Sequence, residues 1–324
     1  MKILKSLLRV SFGIFLMFFT VYCFIARPLP VTKEESAYSK EISVDNLEKH
    51  VYALSETYAP RDANHPLNLK KSGMYIKKEL EKHSKDVSLQ FFNHGVKSYF
   101  NIVGKFGNLE SKDIIIVGAH YDGFSKFPGA DDNASGVSGV LELAKLLKNK
   151  SFNKQIHLVA YSLEEPPFFA TKYMGSYIHA QSVKDLNIEL MISLEMIGYY
   201  SEEENSQDYP MPALKFVYPD KGNFIAIIDQ FQNNNAVNLK RIINKYTDLP
   251  AYSINAPKQT PGITQSDHRN YWSEDIPALM VTNTAYYRNK NYHTKDDTYD
   301  KLDYNKMKSV VLGVFLYLKE LDNK

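Results

Sequence analysis

The chain has 324 residues, 39 Lys and Arg against 37 Asp and Glu, a net charge of +2 and 44% apolar residues. That is ample for a large core. The near balance of charge, with no basic stretch interleaved with aromatics, argues against a polyanion-binding surface, so no nucleic-acid partner is expected.

Residues 10–26 (VSFGIFLMFFTVYCFIA) carry no charge, and Lys2, Lys5 and Arg9 precede them. Seventeen residues at a rise of about 1.5 Å reach about 25 Å, the short end of a membrane span. The run is longer than the apolar core of a signal peptide, about 7–15 residues, and no small-x-small cleavage site follows. An uncleaved anchor is therefore expected over residues 1–27, with secretion after cleavage as the alternative. The basic end should stay cytoplasmic and place the body outside. The only cysteine, Cys23, lies in this run, so the body has no disulfide and depends on its core.

Residues 28–44 read as a linker and 45–324 as the folded body. Leu47, Val51 and Leu54 predict a helix over 45–54, with Asp45 as its cap. A polar loop with Pro60, Arg61 and Pro66 leads to a second helix over 67–83. Residues 87–91 and 99–106 alternate as paired strands do. The run Ile114, Ile115, Ile116, Val117 predicts a buried strand ending in His120 and Asp122. A Gly- and Asp-rich loop follows, and then Val137, Val140, Leu141, Ala144 and Leu147 recur at helical spacing.

Further strands are expected at 156–161, 190–194, 214–218, 251–254 and 278–282. Helices are expected at 170–180, across most of 223–246, and over 305–321. Strands alternating with helices imply an α/β fold: a central mixed, largely parallel sheet covered by helices on both faces.

Polar residues gather where the apolar strands stop: His120 and Asp122, Asp131 and Asp132, Glu164 and Glu165, Glu195, Ser266-Asp267-His268, and Tyr292-His293. Singly they are ordinary helix caps and solvated turns. Together, several carboxylates and two histidines are what a site for two divalent metals needs, and oxygen with imidazole donors suits zinc. A carboxylate has to lie between two cations about 3.5–4 Å apart. Asp122, two residues after His120, suits the task of accepting the second ring N–H and fixing the tautomer.

Taken in order, His120-x-Asp122, Gly129-Ala130-Asp131-Asp132-Asn133-Ala134-Ser135-Gly136, Glu164-Glu165, Glu195-Met196-Ile197-Gly198, Ser266-Asp267-His268 and Tyr292-His293-Thr294 resemble the co-catalytic zinc exopeptidases. That family includes bacterial leucyl aminopeptidases, glutamate carboxypeptidase II and the non-catalytic transferrin receptor ectodomain. The resemblance runs from about Asp45 to the C-terminus. It implies a zinc exopeptidase fold, two Zn2+ ions per chain and a peptide substrate. Asp132 would bridge the ions, His120 and Glu195 would complete one, and Glu165 and His293 the other. Glu164 would be the general base, and the peptide bond after Asp132 would be cis.

Glu195 stands where the family more often has Asp, and Pro166-Pro167 where it often has Gly and Leu. Ile263 replaces a tyrosine found three residues before Ser-Asp-His in some members, so Tyr292 is the candidate oxyanion donor. Asp267 and His268 read as pocket residues or supports for the ligands. Phe168, Phe169, Tyr199, Tyr200, Tyr286 and Tyr287 are candidates to line an apolar pocket or to fill the core. Arg288 is a candidate for a substrate carboxylate or for a structural ion pair. An aminopeptidase is the expected activity. The alternatives are a single-zinc acyltransferase like the glutaminyl cyclases and an inactive, membrane-tethered binding module.

Overall fold

The computed structural model describes residues 9, 11–14, 16, 17, 20, 26–28, 30–231 and 233–324. Among them no helix is long and apolar enough to cross a membrane. The expected anchor lies largely outside the described residues.

Eight strands form one sheet in the order β1-β2-β4-β3-β5-β8-β6-β7. β1 (Asp86–His94) and β2 (Lys97–Gly107) make an antiparallel hairpin, and β2 continues antiparallel onto β4 (Gln155–Tyr161). β3 (Asp113–His120) lies parallel between β4 and β5 (Asn187–Glu195), and β5 is parallel to β8 (Ala278–Thr282). β6 (Ile225–Asp229) runs antiparallel to β8 and parallel to the edge strand β7 (Ala251–Asn255). The four adjacent strands β4, β3, β5 and β8 are parallel, so their carboxyl ends open at one edge, where such sheets place ligands.

Alternate residues of the central strands face two separate cores. Ile115, Val117, Ile192 and Leu194 pack with α1 (Val44–Tyr52), α2 (Pro66–Leu80), α3 (Gly136–Leu147), α5 (Asn235–Tyr246) and α7 (Tyr304–Asp322). Ile114, Ile116, Met191 and Met280 face the other way. They pack with α4 (Gly175–Val183) and the short α6 (His268–Trp272). Helices thus cover both faces, as expected.

Four local expectations need correction. Ser43, not Asp45, caps α1, its side chain accepting from the Asn46 N–H at 3.1 Å. The helix expected over 170–180 begins only at Gly175. Residues 214–218 do not form a strand; Pro212–Phe216 is a single 3-10 turn. The helix expected over 223–246 begins at Asn235, because Ile225–Asp229 is buried at every position as a strand of the sheet. A short apolar run is ambiguous between buried strand and helix by periodicity alone.

Candidate active site

His120, Asp122, Glu164, Glu165 and Glu195 sit at or just beyond strand termini, whereas Asp132, Tyr292 and His293 lie on loops. β3 delivers His120 and Asp122, the turn after β4 delivers Glu164 and Glu165, and β5 ends in Glu195. The loop between β3 and α3 carries Asp132, and the peptide bond from Asp132 to Asn133 is cis. Leu163, Met196 and His293 hold φ of 60°, 49° and 56°. This left-handed region costs a non-glycine residue about 1–3 kcal/mol, and it persists only where surrounding contacts impose it. Here it recurs next to Glu164, next to Glu195 and at His293 itself.

Two clusters form around Asp132. His120, Asp132 and Glu195 each bring a ligand atom into one, and Asp132, Glu165 and His293 into the other. His120 Nε2 lies 3.4 Å from Asp132 Oδ1 and 3.4 Å from Glu195 Oε2. On the other side, His293 Nε2 lies 3.0 Å from Asp132 Oδ2 and 3.2 Å from Glu165 Oε2. Glu164 Oε2 is 3.8 Å from His120 Nε2, so it borders the first cluster.

These donors fit metal ions. His120 Nε2, His293 Nε2, Asp132 Oδ2 and Glu165 Oε1 are buried with no hydrogen-bond partner. Native chains seldom leave such atoms unanswered, because each costs desolvation free energy. Two sets of one imidazole nitrogen and two carboxylates, sharing one carboxylate, satisfy the needs of a pair of zinc ions.

Burial disfavours a charged Asp132, yet the imidazoles of His120 and His293 beside it outweigh that and hold its pKa below the ordinary value. Burial also opposes a charged His120, but the Glu164 and Glu195 carboxylates outweigh it and raise its pKa well above normal. Burial raises the Glu164 carboxyl well above its ordinary range, against the pull of His120, and Glu195 and Glu165 add to the rise.

The supporting residues act mostly through the backbone. Asp122 accepts from the Glu164 N–H at 3.1 Å and the Glu165 N–H at 3.0 Å, so one carboxylate aims both glutamates. His120 Nδ1 is 3.2 Å from the Asp122 carbonyl oxygen, to which it can only donate, and 3.6 Å from the carboxylate. Asp122 thus faces Nδ1 with both its main chain and its carboxylate, and the tautomer that frees Nε2 is set by this residue. Ser266 donates to Glu195 Oε2 at 2.7 Å. Asn133 Oδ1 accepts from the Met196 N–H at 3.0 Å, tying the loop to the end of β5.

Sequence reasoning missed four residues that hold the loop. Asp297 accepts the N–H groups of Asp131 and Asp132 at 2.9 and 3.1 Å. Asn283 and Asn289 donate to Asp131 Oδ2 at 2.7 and 2.9 Å. Arg61 is fully buried, and its guanidinium donates to the carbonyls of Tyr121, Pro128, Gly129 and Asp132. Gly129 is required there: its φ is +59°, and a Cβ would lie 2.3 Å from the Asp132 carbonyl oxygen and 2.9 Å from Arg61 Nη2. Asn283, directly after β8, obeys the strand-end pattern and was within reach of it.

Tyr292 stacks on His293 with ring centres 3.7 Å apart, and Phe124 covers the other side of the imidazole at 3.8 Å. Burial and the surrounding carboxylates push the Tyr292 phenol far up, so it remains a donor. Asp267 is buried, which pushes its carboxyl up to about 7, and His268 Nε2 meets the Ile263 carbonyl at 2.7 Å. Arg288 makes no ion pair among the described residues. Buried, it donates to Gln207 Oε1 and to the Phe224 carbonyl.

A cavity of about 790 Å³, measured with its open mouth, adjoins Glu195. Tyr209, Leu214, Tyr218, Phe224 and Met280 line it, with Tyr286 and Tyr287 from the candidate aromatics. Phe168 instead packs in the core, as do Tyr199 and Tyr200 against it.

The sequence matches the profile of Peptidase family M28 over residues 101–317. The chain belongs to this family. M28 membership places it among the zinc peptidases, a metallopeptidase by class. It is 43% identical to YfbL, an uncharacterized protein of Escherichia coli (strain K12), over 96% of this chain and 98% of that one. It is 27% identical to the probable aminopeptidase YDR415C of Saccharomyces cerevisiae over 72% of this chain and 60% of the relative. Among solved structures, the LapA aminopeptidase of Legionella pneumophila superposes with a TM-score of 0.70. The two are 22% identical, and the match covers 91% of this chain and 78% of LapA, which speaks to the fold alone. Arg61 precedes the residues that the M28 profile matches.

Proposed function

We propose that this M28 chain is a two-zinc aminopeptidase that removes apolar residues from the N-terminus of peptides. The observation that carries this reading is the pair of three-donor clusters sharing Asp132, with Glu164 beside them and outside both sets. His120, Asp132 and Glu195 would hold one zinc ion, and Asp132, Glu165 and His293 the other. When bound, the ions supply Lewis acidity, polarising the scissile carbonyl and acidifying a water.

The chain's own residues supply the rest. Glu164, its pKa raised by burial, takes a proton from the attacking water and returns it to the leaving amine. Asp122 keeps Glu164 and Glu165 in register through their N–H groups. The Tyr292 phenol donates toward the carbonyl oxygen as negative charge develops there, a contribution worth about 2.7–4 kcal/mol for donors of this kind. The apolar cavity beside Glu195 receives the side chain of the terminal residue. A relative named as a probable aminopeptidase supports the choice of that end of the peptide.

The same reading keeps residues 10–26 as a membrane segment, with Lys2, Lys5 and Arg9 on the cytoplasmic side and the peptidase body outside.

The test is metal content and hydrolysis measured together, for the wild type and Glu164→Gln, on free and N-acetylated dipeptides with Leu or Phe first. We expect two zinc ions per chain in both proteins and cleavage only of the free amine. The variant should lose about 10²–10⁴-fold in kcat while keeping its metal. One zinc per chain without hydrolysis would shift the reading to acyl transfer, and no zinc would shift it to a binding module.

A further inference from the structure

We propose that the loop of residues 209–219 is a lipid-contacting surface, dipping into the same bilayer that holds residues 10–26. The inference rests on the membrane reading above.

Residues 209–219 (YPMPALKFVYP) carry one charge, Lys215. The inner side of the loop walls the apolar cavity through Tyr209, Leu214 and Tyr218. Its outer side is open: Phe216 is 75% exposed, and Pro212 and Ala213 are exposed with it. An apolar surface left open in this way marks an interaction site.

The position of the N-terminal segment says what covers it. Ala26, the last residue of the uncharged run, is buried in a cluster with Val217 and Tyr218. Arg27 Nε donates to the Val217 carbonyl at 2.7 Å, and Nη2 to the Phe216 carbonyl at 2.9 Å. The loop is therefore clasped to the point where the run ends. Farther up the run the described large apolar side chains are open, since Phe12, Ile14, Leu16 and Met17 are all about half exposed or more. A bilayer that covers those residues has its surface at Ala26 and Arg27, and the loop lies in that surface with them. Tyr209, Phe216, Tyr218 and Tyr252 then fall where aromatic residues gather at membrane interfaces. An apolar element lying on a membrane sinks about 5–10 Å into the headgroup and acyl boundary. The cavity would thus be walled by an element seated in lipid, and its substrates would be peptides lying on or tethered to that surface.

The experiment uses the full chain in phosphatidylcholine–phosphatidylglycerol vesicles, with and without brominated acyl chains. Phe216→Trp and Ala213→Trp report on the loop. Phe91→Trp is the control: it is 63% exposed on β1, at the opposite edge of the sheet from β7, where the loop packs. Trp272 is buried and common to all three. We expect the chain to sediment with vesicles. Bromine should dim emission from positions 216 and 213 at least about twofold more than from 91, as residues at acyl-chain depth require. Sedimentation with equal quenching at all three positions would leave the anchor standing and overturn the loop contact. No sedimentation would overturn both. A blue shift at 216 with no bromine quenching would put a second copy of the chain on the loop and overturn the lipid assignment. None of these readouts depends on peptidase activity.

Discussion

The two clusters share Asp132 but are built differently. In the first, all three side chains are buried, and hydrogen bonds from Ser266 to Glu195 and from His120 to the Asp122 carbonyl fix the donors. The second depends on His293, whose side chain is 19% exposed against 1% for His120. Two stacked rings, Phe124 and Tyr292, hold it in place of a hydrogen bond. Stacking fixes the plane of an imidazole but leaves it freer to slide. The first cluster is a closed site on strand ends, and the second is an open one on loops. The open one is where metal can leave first, while the apolar cavity adjoins the closed one through Glu195.

The largest effect would come from the residue that both clusters share. Asp132→Ala should abolish zinc binding at both and lower kcat/KM by more than about 10⁴-fold, since electrophilic and general-base assistance fail together. A variant that kept one zinc by elemental analysis would show that the clusters are separable after all. Next, chelator titration of the wild type should release zinc in two steps, the Asp132–Glu165–His293 ion first. His293→Ala should leave only the slower step, and a single wild-type step would erase the distinction between closed and open sites. Ser266→Ala should weaken the tighter site alone by about 10–100-fold, the usual cost of losing a ligand's hydrogen-bond partner. Phe124→Ala should do less, a few-fold at the looser site, read from the same titration.

The smallest effect separates scaffold from site. Burial lowers His157 to about 4 and His179 to about 3. Their folded values lie below the unfolded value of about 6.5. Their contribution to stability is therefore complete above about pH 6.5 and is lost as the pH falls through 6 toward 4. His179→Gln should flatten this acid slope in thermal melts of metal-free protein while leaving the two-step zinc release unchanged.

The strand ends were legible because an apolar run that stops at a histidine or carboxylate marks both the strand and its functional terminus. That reasoning pointed to His120, Glu165 and Glu195, while Asp132 and His293, on loops, were assigned as donors through the ordered motifs of the family resemblance. It did not reach Arg61 or Asp297, whose work is to satisfy backbone groups of a distant loop. Arginine in a polar stretch and aspartate in Lys-Asp-Asp-Thr look like surface residues, and nothing local marks a contact spanning 166 positions. β6 was lost inside a helix for a different reason. Ile225-Ala226-Ile227-Ile228 is apolar on both faces, so it shows no alternation, and the amphipathic α5 follows closely. The 212–216 turn looked like a strand because its apolar residues serve the cavity and the outer surface rather than a core.

The Asp297 contact also sets a schedule for the nascent chain. The N–H groups of Asp131 and Asp132 wait for a carboxylate made some 165 residues later. At a ribosomal pace of about 5–20 residues per second this is a delay of roughly ten to thirty seconds. His293 is just as late. Arg61 and the first strands are out of the ribosome early, yet the shared aspartate gains its last supports only when the chain is nearly finished. A growing peptidase of this design stays inert throughout its own synthesis, and it becomes able to cut only once its C-terminal segment has folded back.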